Sequence, residues 1–381
     1  MKRIYLDNAA TTPLEPQVLE AMMPYMTEKF GNPSSVYSYG RECRLAVEMA
    51  RKSVAGLLKA RPAEIFFTSG GTESTNTVLY AAVHDLGCKR IITSSIEHHA
   101  TLHTVEFFEK KGWIKAEYVK LNKNGHIDLA DLENKLASSN EKTLVSLMHA
   151  NNEIGNITDI QQVGMLCRKY DAFYHADTVQ TVGHFPFDLQ NTPVDFINGS
   201  GHKFHGPKGV GILYVNERIK ISPYIHGGGQ ERNMRAGTEN LYGIVGFAKA
   251  LELASNNYEK DRAYISGLKS YLKNQLQENI EGVEFNGDQE GNCLYTVLSV
   301  CFPKNEKTSM ILFNLDMQHI CVSGGSACSS GADAGSHVIR ALRNDSDKVT
   351  VRFSFSKFNT KEEIDHVVAV LKELTQETAI A

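Results

Sequence analysis

Val194-Asp195-Phe196-Ile197-Asn198-Gly199-Ser200-Gly201-His202-Lys203-Phe204-His205-Gly206-Pro207-Lys208-Gly209-Val210-Gly211-Ile212-Leu213-Tyr214-Val215 places a lysine in a glycine-rich turn between two apolar runs. Both runs are rich in branched and aromatic residues and read as buried strands, so Lys203 is carried on the tight connection between them. A lysine drawn out of water loses preference for its charged form, and its amine becomes a nucleophile toward a carbonyl, as in Schiff-base chemistry. The competing reading is a surface turn whose Lys203 and Lys208 face solvent. The rest of the chain has to decide between them.

Upstream of that stretch, Ile65-Phe66-Phe67-Thr68 precedes a helix from Thr72, Ile91-Ile92-Thr93 precedes one from Ala100, and Thr143-Leu144-Val145-Ser146-Leu147 and Phe173-Tyr174-His175-Ala176 follow in turn. Strand-helix alternation of this kind predicts parallel strands with crossover helices, hence an α/β domain with a mainly parallel sheet and helices on both faces. Ligands of such sheets bind beyond the carboxyl ends of the strands. Two amphipathic helices are expected before the sheet, over Pro16 to Met26 and about Ser38 to Lys59. The polar Ser255-Asn256-Asn257 marks a boundary near 255, followed by a helix over Tyr258 to Asn279, runs at 297–300 and 349–353, and a closing helix from about Lys361 to Leu374. The expected organisation is a large domain over 13–255 and a smaller α+β domain made of 1–12 and 256–381.

At 381 residues the chain exceeds what one hydrophobic core usually serves. A formal net charge of -4 without a basic cluster disfavours nucleic-acid and membrane-surface partners and leaves a small molecule as the expected substrate. Seven scattered cysteines without a Cys-x-x-Cys pair argue against a zinc ribbon or a disulfide framework. With neither a signal peptide nor a run able to span a bilayer, a cytoplasmic setting is expected.

Polar residues at the strand ends supply the parts of a site. Ser69-Gly70-Gly71-Thr72-Glu73-Ser74 opens a helix after a strand; it reads as a cup for one phosphate or as a plain N-cap with a glycine turn. His98 could lie flat over an aromatic ring, cap a helix or, with His103 near, join a metal site, although the spacing fits no familiar ligand set. Asp177 is a strand-end carboxylate needing a partner, either a protonated pyridine nitrogen or a backbone amide. Asn152 and Gln180 offer amides able to hold a phenolic oxygen. Together with Lys203, these parts describe the surroundings of pyridoxal phosphate, with no metal expected.

Asp7-Asn8-Ala9-Ala10-Thr11-Thr12, Gly31-Asn32-Pro33-Ser34-Ser35, Ser69-Gly70-Gly71-Thr72-Glu73-Ser74, Asn151-Asn152-Glu153-Ile154-Gly155, His175-Ala176-Asp177, Ser200-Gly201-His202-Lys203 and Arg235-Ala236-Gly237-Thr238-Glu239-Asn240 resemble, in order, the motifs of the cysteine desulfurases. These form a class V aminotransferase branch of the fold-type I pyridoxal phosphate enzymes. The resemblance implies that Lys203 binds the cofactor covalently, His98 stacks on the pyridine, Asp177 pairs with its nitrogen, and Asn152 and Gln180 flank the phenolic oxygen. It implies further that Gly71, Thr72, Ser200 and His202 hold the phosphate, joined by Thr238 from the partner subunit of a homodimer. Arg352 is placed as the carboxylate-binding arginine, with Asn32 its helper; a guanidinium suits that contact, and a strand-edge salt bridge is the other reading.

Gly324-Gly325-Ser326-Ala327-Cys328-Ser329-Ser330-Gly331 sets a cysteine among small residues with little apolar surface to pack against, which reads as a reactive thiol or a plain flexible loop. It is similar to the loop carrying the desulfurase nucleophile of the nitrogen-fixation and iron-sulfur assembly group. Ala332-Asp333-Ala334-Gly335-Ser336 departs from the Leu-Glu-Pro-Ser usual there. The implied activity converts L-cysteine to L-alanine with a persulfide on Cys328, delivered to an acceptor such as an iron-sulfur scaffold or a tRNA thiolation enzyme. A transaminase, a selenocysteine lyase and a cofactor-free sulfur carrier are the rival expectations.

Overall fold

The computed structural model describes residues 3–324, 335–343 and 348–376. Its elements run, in order, β1 (Ile4–Tyr5), α1 (Pro16–Thr27), α2 (Ser38–Leu57), β2 (Ile65–Thr68), α3 (Gly71–His84), β3 (Arg90–Ser94), α4 (His99–Lys110), β4 (Lys115–Val119), α5 (Leu129–Ala137), β5 (Thr143–Ser146), α6 (Ile160–Lys169), β6 (Phe173–Ala176), β7 (Phe196–Ser200) and β8 (Gly211–Val215). An irregular turn α7 (Gln230–Asn233), the long α8 (Leu241–Asn279), β9 (Glu284–Phe285), β10 (Val297–Pro303), α9 (Ile311–Met317), β11 (Ile320–Cys321), α10 (His337–Leu342), β12 (Lys348–Ser354) and α11 (Lys361–Thr375) follow.

Seven strands form one sheet in the order β2-β8-β7-β6-β5-β3-β4. All pairings are parallel except those of β8, which runs against both β7 and β2. The mainly parallel α/β architecture expected from the sequence is therefore present, and the lysine turn is the connection between antiparallel β7 and β8. Neighbouring strand residues face opposite sides, as the pleat requires. Phe67, Ile92, Val145 and Ile197 join the core beneath α1, α2, α5, α6 and the first half of α8. Phe66, Ile91, Leu144 and Phe196 join the core beneath α3 and α4. Apolar residues on both faces of a strand produce the unbroken apolar runs of the sequence.

A separate core gathers Ile4 and Leu6 with Ile265 to Leu276 of α8, the β10–β12 pair and α11. Its sheet is antiparallel, in the order β12-β10-β9. One finding departs from the sequence reading: no break falls at Ser255-Asn256-Asn257, because α8 continues through it and serves both cores. Asn257 carries its amide onto the Leu253 carbonyl one turn back, at 2.8 Å, so a residue that read as a breaker is satisfied within the helix.

Candidate active site

Five polar side chains reach one cavity because their strands end at the same edge. His98 follows β3, Asn152 follows β5, Asp177 follows β6, and Ser200 and Lys203 end and follow β7. The cavity measures about 280 Å³, and Gly71, Thr72, Gln180, His202 and Arg352 also line it. Gly201 to Lys203 form a single turn of 3-10 helix that swings the lysine back under the strand end. There Nζ donates to the Ala9 and Ala10 carbonyls, both at 2.8 Å. The solvent-facing reading of Lys203 is excluded; the amine is inside and held.

Asp177 is buried, and its Oδ1 accepts from the Val179 amide at 3.0 Å. That bond fixes the carboxylate at the cavity wall. The His98 side chain is at once a cap and a wall: Nδ1 accepts from the Ala100 amide at 3.1 Å while the ring lines the cavity. Burial lowers its pKa, the Asp177 charge raises it in part, and the Lys203 charge lowers it further, which keeps the ring neutral at neutral pH. His202 is lowered to about 4, first by burial and then by the charges of Lys203 and Lys208. The imidazole is therefore neutral at neutral pH. Gln180 donates to the Ala9 carbonyl at 3.1 Å.

A second concavity of about 370 Å³ shares Gly71, Thr72, Ser200 and His202 with the first and adds Ser69, Thr11 and Lys208. It sits at the N-terminus of α3, where backbone N–H groups have no partner within the helix. A Cβ on Gly71 would lie 2.5 Å from Val179 Cγ2, so only glycine lets the helix begin this close to the cavity wall. Amine, carboxylate, flat neutral imidazole, amides and an anion cup suit the aldehyde, pyridinium, ring, phenolic oxygen and phosphate of pyridoxal phosphate, and the residues fit that group.

Arg352 is buried, with Nη2 on Asp7 Oδ1 at 2.7 Å and Nη1 on the Asn152 carbonyl at 2.9 Å. Its Nε has no partner among the described residues. The arginine thus makes a salt bridge and also lines the cavity. Asn32 and Thr238 line a different hollow, between α1 and the start of α8. Within one chain, therefore, neither lines the lysine cavity. Cys328 lies outside the described residues, and so does the stretch 325–334 around it.

Glu153 and His337 were not foreseen as parts of this wall, nor Glu97 as the buried neighbour of His98. Glu97 Oε1 accepts from the Met148 amide at 2.9 Å, and burial drives its carboxyl well above the usual carboxylate range. Glu153 and His337 line the cavity. Neither glutamate carries a sequence signal that separates it from an exposed turn residue. The Ser-His pair that opens α10 could have been noticed as a cap. No group of three or more His, Cys, Asp or Glu among the described residues could hold a metal ion.

A family profile, Aminotransferase class-V, matches residues 4–367. The cysteine desulfurase IscS of Dictyoglomus turgidum is 43% identical over 381 residues, covering 99% of this chain and 95% of that protein. The putative cysteine desulfurase IscS 1 of Bacillus subtilis is 41% identical, covering 98% of this chain and 100% of its own length. Among solved structures, a NifS-like protein superposes with a TM-score of 0.90 at 38% identity, covering 98% of this chain and 99% of that one. SspA in complex with cysteine superposes with a TM-score of 0.81 at 30% identity, covering 94% of this chain and 100% of that one. Since sequence and fold agree over nearly the whole length, the chain belongs to the class V aminotransferase family, among its NifS- and IscS-like cysteine desulfurases.

Proposed function

We propose that the protein is a pyridoxal phosphate-dependent cysteine desulfurase that converts L-cysteine to L-alanine and leaves the sulfur as a persulfide on Cys328. The observation that carries this reading is the meeting of the Lys203 amine, the Asp177 carboxylate and the Arg352 guanidinium on the wall of one cavity beside a helix N-terminus. When bound, the pyridoxal ring supplies a store for the electron pair released as bonds at the substrate carbons break. The protein's residues do the rest.

Lys203 Nζ would hold the cofactor covalently and would serve as the base that moves the substrate's α-proton. Asp177 holds a proton at the ring nitrogen, His98 covers the ring face, and Asn152 and Gln180 flank the phenolic oxygen. Gly71, Thr72, Ser200 and His202 take the phosphate, completed by Thr238 of the partner subunit. Arg352, helped by Asn32, holds the substrate carboxylate. Cys328 as thiolate would then attack the substrate sulfur: the sulfur–sulfur bond forms as the carbon–sulfur bond breaks, and the electron pair of that bond stays with the substrate carbon, which takes up a proton on the way to alanine. Its tether supports that role: Ser323 exchanges two backbone hydrogen bonds with the cavity residue Arg352, at 2.7 and 3.3 Å. Five residues further along, at about 3.3–3.6 Å each, Cys328 stays within about 18 Å of that anchor.

A homodimer is part of the proposal, supported by exposed apolar residues that include Met26, Phe30 and Tyr242 around the hollow holding Asn32 and Thr238. So is the division into 13–255 and 1–12 with 256–381, supported by the separate cores. The proposed acceptors are an iron-sulfur scaffold or a tRNA thiolation enzyme. A cytoplasmic setting suits the six described cysteines, all free thiols. Among the described residues no helix is long and apolar enough to cross a membrane.

The test is a parallel assay of alanine, sulfide and protein-bound persulfide from L-cysteine. Cys328→Ser is expected to keep the cofactor absorbance and form no persulfide, and Lys203→Ala to lose the covalent cofactor. Unchanged turnover in Cys328→Ser refutes the assignment.

A further inference from the structure

We propose that Glu153 and Ser336 form a positioning pair that holds the root of the Cys328-bearing stretch against the substrate end of the cavity, and so governs sulfur transfer to Cys328. The proposal rests on the desulfurase reading above and names residues to which that reading gives no role.

The two ends of the stretch are fastened differently. Ser323, at one end, is paired backbone to backbone with Arg352. At the other end Ser336 caps α10, its Oγ accepting from the Ile339 amide at 3.1 Å. A serine hydroxyl has one proton, and this one is donated to Glu153 Oε2. Both residues are buried, Ser336 to 8% exposure and Glu153 to 2%. Among the described residues this is the one hydrogen bond of the Glu153 carboxyl. Burial pushes that carboxyl up, and the hydrogen bond from Ser336 and the charges of His337 and Arg352 pull it part of the way back. Glu153 is therefore in the field of the arginine proposed to bind the substrate carboxylate, while its oxygen grips the far root of the stretch.

Its chain neighbour strengthens the link, since the Asn152 carbonyl accepts from Arg352 Nη1. A substrate that draws on the Arg352 guanidinium acts on a turn to which Ser336 is attached. The helix α10 does not depend on this one bond. His337 Nε2 donates to the Glu97 carbonyl at 2.9 Å, and Val338 is buried with Ile96 and Ile154. Loss of the Ser336–Glu153 bond should loosen the root and leave the helix docked.

The experiment is a double-mutant cycle on the holoenzyme with Ser336→Ala, Glu153→Leu and the double variant, read as single-turnover persulfide formation on Cys328. Each single change is expected to slow that step about tenfold or more, the order that a misplaced reacting group costs. The KM for L-cysteine should move less than threefold, and the double variant should be no slower than the slower single. Glu153→Gln, which keeps an acceptor oxygen for Ser336, is expected to recover most of the loss. Additive losses, wild-type rates in the singles, or a Gln variant as slow as the Leu variant overturn the pair. A melting temperature within a few degrees of wild type shows that the fold is retained; should Glu153→Leu not fold, Ser336→Ala and Glu153→Gln still decide through the rate and KM. If the wild-type protein makes no alanine from L-cysteine, it is the desulfurase reading that fails, and the pair falls with it.

Discussion

Arg352 shows how much a single residue can say and where it stops. A lone arginine in Val351-Arg352-Phe353-Ser354 reads equally as a carboxylate clamp or as a strand-edge ion pair, since both use the same fork of donors. The structure gives it the ion pair, with Nη2 on Asp7 and Nη1 on the Asn152 carbonyl, and also sets it on the cavity wall, with Nε unpartnered among the described residues. A lysine placed there keeps the charge and loses the fork. Arg352→Lys is accordingly expected to raise the KM for L-cysteine tenfold or more while kcat falls less, which steady-state kinetics on alanine release will show. Lys203, Asp177 and His98 were legible because each follows a strand with a residue type that has little reason to be there. Glu153 and His337 were not, because what ties them into the wall is long-range: a hydroxyl of Ser336 and a carbonyl of Glu97. No local spacing encodes such partners.

At the scale of elements, the strands buried on both faces were the readable ones. β4, Lys115–Val119, was missed because it lies at the sheet edge, mostly half-buried or exposed, and its sequence carries no apolar run. Beneath the anion cup the packing of elements is tighter than their lengths suggest. β8 begins at Gly211, where a Cβ would lie 2.4 Å from the Gly199 carbonyl oxygen of β7 and 2.6 Å from Gly70 Cα at the entrance to α3. Both obstacles are backbone, so neither can rotate away. Gly211→Ala must part the strand from the turn that shapes the cup, at a cost of about 1–3 kcal/mol for overpacking. The expected outcome is a lower melting temperature together with weaker cofactor retention, measured by absorbance after dialysis. A variant that melts lower and holds its cofactor as tightly as wild type would show that the cup does not depend on this contact.

The whole molecule leaves one conflict that a single chain does not resolve. Val36 is 83% exposed and Phe30 72%, and Leu19, Met23, Met26, Tyr37, Tyr39, Leu45 and Met49 on or near α1 and α2 are exposed as well. Isolated apolar residues on a surface are ordinary, but a cluster of this size on two adjacent helices is what an interface looks like before its partner arrives. The same region holds the hollow of Asn32 and Thr238, the two proposed site residues that do not line the cavity of their own chain. One hypothesis accounts for both facts: a second copy covers the apolar face and carries Thr238 to the neighbouring anion cup. Light scattering on the purified protein is then expected to give twice the chain mass. Val36→Asp with Phe30→Asp should yield a monomer that keeps its far-ultraviolet dichroism, because neither side chain belongs to a core, yet loses cofactor faster than wild type because the cup lacks its partner's hydroxyl. A monomeric wild type fully loaded with cofactor would separate Thr238 from the site and leave the exposed face to some other partner.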